Sequence, residues 1–306
     1  MELWIPVTLA AAFSQNLRNA LQKTLKGRLS TWGATASRFV FAAPLAVLFF
    51  LVLSGGMGQG VGVPPDRFYA WGMAGGLAQI VATGLLIHLF SHTNFAVATA
   101  FTKTEPLQTA LFGIVLLGDR LTAGAAVAIL ISLVGVILVS IPSSNGPGGP
   151  DAKRKGRWKL DRKVWIGTLA GGLFGFSAVA YRGSSLSLAD GGALLRASAS
   201  LAFVTVFQAI AILGWLALRE RGQVTHLVCA WRVASLVGVT GMLGSLGWFT
   251  AFTLENAAHV RAVGQIEVIF TLGISILFFR EKVTPREIAG VLLVAAGVVA
   301  LVLLAH

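Results

Sequence analysis

The sequence predicts an all-α polytopic membrane protein, ten transmembrane helices in two inverted five-helix repeats, on three observations. The first is composition: of 306 residues, 56% are apolar and only 12% charged, with a mean hydropathy of +0.79, whereas a soluble domain carries roughly twice that share of charge. The second is self-similarity at a fixed offset, the mark of a duplicated unit. Shifted by 162 residues, Asn94, Glu105, Asp119, Thr122 and Gly135 fall on Asn256, Glu267, Glu281, Thr284 and Gly297. The third is a one-sided distribution of lysine and arginine between alternate connections.

In chain order, apolar runs long enough to cross a bilayer fall at about residues 3–22, 36–54, 68–89, 94–117, 121–141, 163–182, 194–217, 227–252, 256–278 and 286–305. The first run has no positive n-region before it and reads as a retained span, not a cleaved signal. Its second half carries Gln15, Arg18, Asn19 and Gln22 at helical spacing, a polar stripe that must turn away from lipid. Ser54–Arg67 is a Gly/Pro-rich connection. Most of the 36 glycines lie inside apolar runs, where they permit close helix contact. The single Cys229 can form no intrachain disulfide and is expected to be a small buried apolar residue.

Pro142–Lys163 is the exception to short connections, with Lys153, Arg154, Lys155, Arg157, Lys159, Arg162 and Lys163. Such a cluster on a soluble domain would suggest nucleic acid; between spans it reads as a cytoplasmic loop beside anionic lipid. The domains are therefore 1–141, a first five-helix repeat; 142–162, a basic linker; and 163–306, the second repeat. The connections after odd-numbered spans hold or border seventeen basic residues, Arg38 among them, against five after even-numbered spans: Arg67, Arg120, Arg182, Arg196 and Arg261. This places the linker in the cytoplasm and both termini outside. Gly76 also falls on Gly238, and Thr8–Ala10 pairs with Thr168–Ala170 at a slightly shorter offset. Each half therefore has five helices. An odd number inverts the second half, as in many secondary transporters with a midplane site.

Thr104–Thr122 (TEPLQTALFGIVLLGDRLT) and Val263–Thr284 (VGQIEVIFTLGISILFFREKVT), each followed by a Gly-containing apolar helix, carry a resemblance to the ten-helix EamA-type members of the drug/metabolite transporter superfamily. It covers nearly the whole chain. Asp119 stands where the family's junction usually has Glu, and Val268 stands where the first copy has Pro106. The resemblance implies transport of small organic metabolites, amino acids or drug-like compounds among them, often as efflux across the inner (plasma) membrane.

Glu105 lies about eleven residues, some 16 Å, from either end of its span, near the bilayer midplane, and Glu267 repeats the placement. A carboxylate there is costly unless it meets water, a cation or a donor, so the two are expected to flank a central cavity and to bind an amine or a proton, or else to stabilise packing. Lys103, two residues before Glu105, does not share its helix face. Pro106 removes a backbone donor next to Glu105, which ranks Glu105 ahead of Glu267. The transport-cavity candidates are Gln15, Arg18, Asn19, Gln79, Thr83, Lys103, Glu105, Trp248, Gln265 and Glu267. Arg18 is read either as a seat for a substrate carboxylate or as a cytoplasmic-end anchor, and Arg38 and Arg196 as helix-end anchors. Gln265 and Glu267, two positions apart, can serve one cavity only if it is wide or the helix irregular.

Nothing in the sequence supports enzyme chemistry, and no cofactor is expected. GGLAQ and GGLFG lack the strand context of a nucleotide loop, and the histidines are too scattered for a metal. The function expected is secondary transport by alternating access. The partners expected are a small organic metabolite and membrane lipid, with proton coupling and a homodimer as further candidates and no nucleic acid. Two other classes stay open here, a non-transporting membrane scaffold and a lipid-transferring membrane protein.

Overall fold

A computed structural model describes residues 2–58, 60–91, 102, 104–140, 162–270, 273 and 285–304. Asn94, Lys103, the linker from 142 to 161, Glu281 and Thr284 lie outside the described residues. The helices are α1 Trp4–Leu25, α2 Thr31–Met57, α3 Asp66–Phe90, α4 Glu105–Phe112, α5 Ala123–Ser140, α6 Arg162–Leu186, α7 Ala193–Arg219, α8 Gln223–Cys229, α9 Trp231–Leu254, α10 Ala257–Val263 and α11 Pro285–Leu304.

Among the described residues, five helices are long and apolar enough to cross a membrane, α2, α3, α6, α7 and α9, against the ten spans expected. Parts of the fourth, fifth, ninth and tenth expected runs lie outside the described residues; within the described ones, these departures from regular spans stand out. α1 has the length but carries the polar stripe. α4 is a short helix continued by a π-helical turn, Gly113–Leu117, and α10 gives way to a 3-10 turn at Gly264–Ile266. The eighth expected run divides at Ala230 into α8 and α9.

The distribution of side chains is that of a multi-pass membrane protein. Leu218, Val115 and Leu303 are 80%, 77% and 72% exposed, while Arg18, Arg38 and Gln208 are 2%, 3% and 1% exposed. In water such an arrangement would be costly on both counts; in lipid, apolar groups belong outside and polar groups must find partners within. Cys229 is exposed, not buried, because it ends the short helix α8 beside the bend at Ala230.

The principal helix contacts are α1 with α9, α3 with α6, α2 with α7, and α5 with α11. Apolar area drives association weakly in lipid, so backbones must approach closely. At the α5–α11 contact both glycines of one repeat pair do this. A Cβ on Gly135 would stand 2.6 Å from Gly290 O, and one on Gly297 would stand 2.8 Å from Ser132 N.

Candidate functional site

The polar stripe of α1 turns inward. Gln15, Arg18 and Asn19 meet Leu86 of α3, Thr102 and Glu105 at the start of α4, Phe174 of α6, Arg261 of α10, and Glu267 around a small, partly open cavity whose empty space, solvent included, is about 310 Å3. The small residues of α6 make this convergence possible. A Cβ on Gly175 would lie 2.7 Å from Thr109 Oγ1 and 3.2 Å from Glu105 O, and one on Gly171 would lie 2.6 Å from Thr102 O, so the chain around Glu105 rests directly on the α6 backbone.

Both carboxylates are buried; Glu105 opens a helix, as the first residue of α4, while Glu267 continues a helical run just past a 3-10 turn. A helix start such as that at Glu105 carries partial positive charge and favours an anion. Arg261 Nε lies 2.8 Å from Glu105 Oε1, with side chains 6% and 9% exposed. The N–H does not point at that oxygen, so the contact is an ion pair by distance rather than an aligned hydrogen bond. The Arg261 guanidinium also lies over the rings of Trp248 and Phe252, 4.5 and 5.0 Å from their centroids. Those rings stack on one another 5.8 Å apart. Glu267 accepts a hydrogen bond from Gln15 Nε2 at 2.8 Å, and its backbone carbonyl accepts one from Asn16 Nδ2 at 3.3 Å. Arg18 Nη2 donates to Asn19 Oδ1 at 2.8 Å.

The other candidates lie elsewhere. Gln79 belongs to a polar node of α3, α6 and α7: its Oε1 accepts from Tyr181 Oη at 3.0 Å and from Gln208 Nε2 at 3.0 Å. Thr83 Oγ1 accepts from Arg38 Nη1 at 3.1 Å. Trp248 lies beneath Arg261, in contact with the site through that side chain. The backbone is irregular at Gln265, yet Gln265 does not share the Glu267 cavity. It lines a separate small space with Pro106 and Ser132, because side chains two positions apart on a helical turn point in widely different directions. Lys103 lies outside the described residues.

Three arginines correct the sequence reading. Arg38 and Arg261, counted there among connection residues, are 3% and 6% exposed inside the bundle. Arg18 is buried too and is no anchor at a membrane surface. Arg261 was open to detection, since it falls within the expected span 256–278, where an ionisable residue is a functional candidate by the rule that singled out Glu105.

A second polar cluster brings together Asp119, Arg182 of α6, the end of α9 and the start of α10. Arg182 Nη1 donates to Phe252 O at 2.7 Å and to Glu255 O, and its Nε lies 3.8 Å from Asp119 Oδ1. His259 Nδ1 is 3.1 Å from Glu255 Oε1, which also accepts from the Asn256 N–H at 2.7 Å. Asn256 caps α10 through Ala258 N at 2.9 Å, as its position at the start of a span suggests. Burial pushes the Asp119 carboxyl above its ordinary value against the pull of Arg182. For Glu255 burial pushes upward as well, but the hydrogen bonds from His259 and Asn256 and the nearby cations carry it below its ordinary value.

Fold and site together define a multi-pass α-helical membrane protein with a charged interior. The chain belongs to the EamA-like transporter family, whose model matches residues 2–141 and 170–303. No curated protein matches it. A solved structure described as "Crystal structure of protein" is similar over 99% of this chain and 97% of its own, with a TM-score of 0.70 and 15% sequence identity, a likeness of fold alone.

Proposed function

We propose that this protein is a secondary transporter of a small organic metabolite, working by alternating access and in the direction of export. The observation that carries the reading is the cavity between Glu105 and Glu267, buried carboxylates from matching positions of the two sequence repeats, the first at the start of α4 and the second directly after a 3-10 turn. Broken helices that aim their starts at a midplane site are the construction that transporters use for charged cargo and coupling ions.

The ten-helix, inverted-repeat reading has support from the helix pairing. If α1, α2, α3 and α5 correspond to α6, α7, α9 and α11, then α1 against α9 answers α3 against α6, while α2 meets α7 and α5 meets α11. A pseudo-two-fold relation between halves produces that exchange. The domain limits are accordingly 1–141 and 163–306, with 142–162 as linker. Removing Arg38 and Arg261 from the charge comparison leaves sixteen basic residues on odd connections and four on even ones. The linker is thus assigned to the cytoplasm and the termini to the outside of the plasma membrane, which reporter fusions at the linker and the termini test.

Comparison of metabolites accumulated by matched cells with and without the protein identifies the cargo, and counterflow in proteoliposomes then measures it. Saturable counterflow supports transport; no flux of any accumulated compound leaves a scaffold or a lipid-transferring protein. Coupling to protons is tested by Glu105→Gln and Glu267→Gln, with loss of flux driven by a pH gradient and retention of passive exchange expected for the proton-carrying residue. Wild-type flux indifferent to the gradient removes proton coupling.

A further inference from the structure

Among the described residues, the charges at the centre of the bundle do not balance. Arg18 is 2% exposed and lines the cavity. Asn19 takes one of its donors, while Nε and Nη1 have no hydrogen-bond partner among the described residues. Its stem lies beside that of Arg38: a Cβ on Gly241 would stand 3.4 Å from Arg18 Cδ and 3.5 Å from Arg38 Cγ. Arg38 spends a donor on the neutral Thr83. Arg261 is paired with Glu105. Glu267 attracts Arg18 but forms no ion pair with it, and Arg38 and Arg261 repel it. Among the described residues of this region, three guanidinium groups therefore face two carboxylates.

A buried guanidinium with open donors is costly unless an anion meets it, and its geometry suits a carboxylate. Within that described set one positive charge is in excess, which one negative charge offsets. A zwitterion brings none in net, an ammonium worsens the imbalance, and a phosphate dianion overshoots it. Leu86 and Phe174 give the same cavity an apolar side. We propose that the cavity binds a small organic monoanion, its carboxylate on the open donors of Arg18 and its apolar body against Leu86 and Phe174. The inference rests on the transporter reading and narrows its cargo to the monocarboxylate class.

The test uses the purified full chain in detergent at constant ionic strength and neutral pH, with four probes on one aromatic skeleton: 3-phenylpropanoate, phenylalanine, 2-phenylethylammonium and phenyl phosphate. 3-Phenylpropanoate is expected to raise the midpoint of thermal unfolding saturably and more than the other three. Arg18→Gln should abolish that shift and Arg18→Lys should keep part of it. Without probe, Arg18→Gln should unfold no earlier than wild type, since it removes an unbalanced buried charge. Phenylalanine, 2-phenylethylammonium or phenyl phosphate stabilising as well or better overturns the proposal. So does a shift that survives in Arg18→Gln, the absence of any shift, or a marked loss of stability in Arg18→Gln alone. Proteoliposome flux separates this inference from the reading beneath it: transport of a zwitterion or cation through Arg18 sinks the monoanion and keeps the transporter. Binding of 3-phenylpropanoate without flux of any compound keeps the carboxylate site and sinks transport.

Discussion

Glu105→Gln preserves the shape of the side chain and removes the charge opposite Arg261. The guanidinium, 6% exposed, then keeps the faces of Trp248 and Phe252 and the amide oxygen of the new residue. Breaking a buried ion pair from one side costs about 3–5 kcal/mol, and the ring contacts return about 0.5–2 kcal/mol, so a net loss of about 2–3 kcal/mol is expected. At about 2–4 °C per kcal/mol, the unfolding midpoint should fall by roughly 4–12 °C. Adding Arg261→Met to Glu105→Gln removes the stranded cation and should recover most of the loss, a coupling of about 2 kcal/mol. Thermal unfolding in detergent, followed by tryptophan emission, measures the four proteins of this cycle, and Trp248 beneath the guanidinium reports the local change directly. Equal effects of Glu105→Gln with and without Arg261 would show that the 2.8 Å contact carries no coupling and would refute the reasoning.

Gly297→Ala should lower the unfolding midpoint, by about 1–3 kcal/mol of overpacking, because its Cβ would collide with Ser132 Oγ and stand 2.8 Å from Ser132 N. Adding Ser132→Ala should relieve the hydroxyl part and leave the backbone part. At the Arg182 cluster, acidification acts through two carboxyls of opposite sign. Asp119, raised in the folded state, costs stability when ionised, so protonating it as pH falls through its folded value recovers stability. Glu255, lowered in the folded state, contributes stability above its ordinary value near 4.5 that is lost as pH falls through its folded value. A pH series of unfolding midpoints should show the first effect vanish in Asp119→Asn and the second in Glu255→Gln.

The regular helices were legible because composition and run length suffice for them. α3, α7 and α11 begin and end within two residues of the apolar runs at 68–89, 194–217 and 286–305. What was not legible was where those runs break. The bend at Ala230 and the 3-10 turn at Gly264–Ile266 interrupt runs that read as continuous in hydropathy: the 3-10 turn is largely buried among neighbours and needs no polar sequence, and the bend at Ala230 falls between apolar residues. Partner choice was hidden for a related reason. Gln79 and Thr83 share a helix face, which sequence shows, but whether that face meets a cavity or the donors of Tyr181, Gln208 and Arg38 depends on helices more than a hundred residues away, or on α2. The arginines were misplaced by treating every basic residue near a span end as a topology signal. Arg38 and Arg261 lie only a turn or two inside their helices, a depth at which the same residue can anchor at a surface or turn inward.

The repeat is symmetric in its carboxylates and asymmetric in what holds them, and this asymmetry separates their roles. Glu105 faces a guanidinium, but the residue 162 positions before Arg261 is Thr99, so the second copy contributes a cation that the first has no counterpart for. Glu267 instead accepts from Gln15, and at the offset that pairs Thr8 with Thr168 the counterpart of Gln15 is Gly175, which has no side chain to donate. Glu267→Gln keeps an oxygen for the Gln15 amide, so the part of its cost that falls on this contact should be that of weakening one hydrogen bond to a charged group, about 1.5 kcal/mol or less. Glu105→Gln strands a buried cation and should cost about twice that. Side-by-side unfolding midpoints of the two variants decide the matter. Equal losses would mean that the carboxylates are interchangeable supports of the bundle; a smaller loss in Glu267→Gln would mark Glu105 as the tied carboxylate and Glu267 as the one whose charge can change while the fold stands.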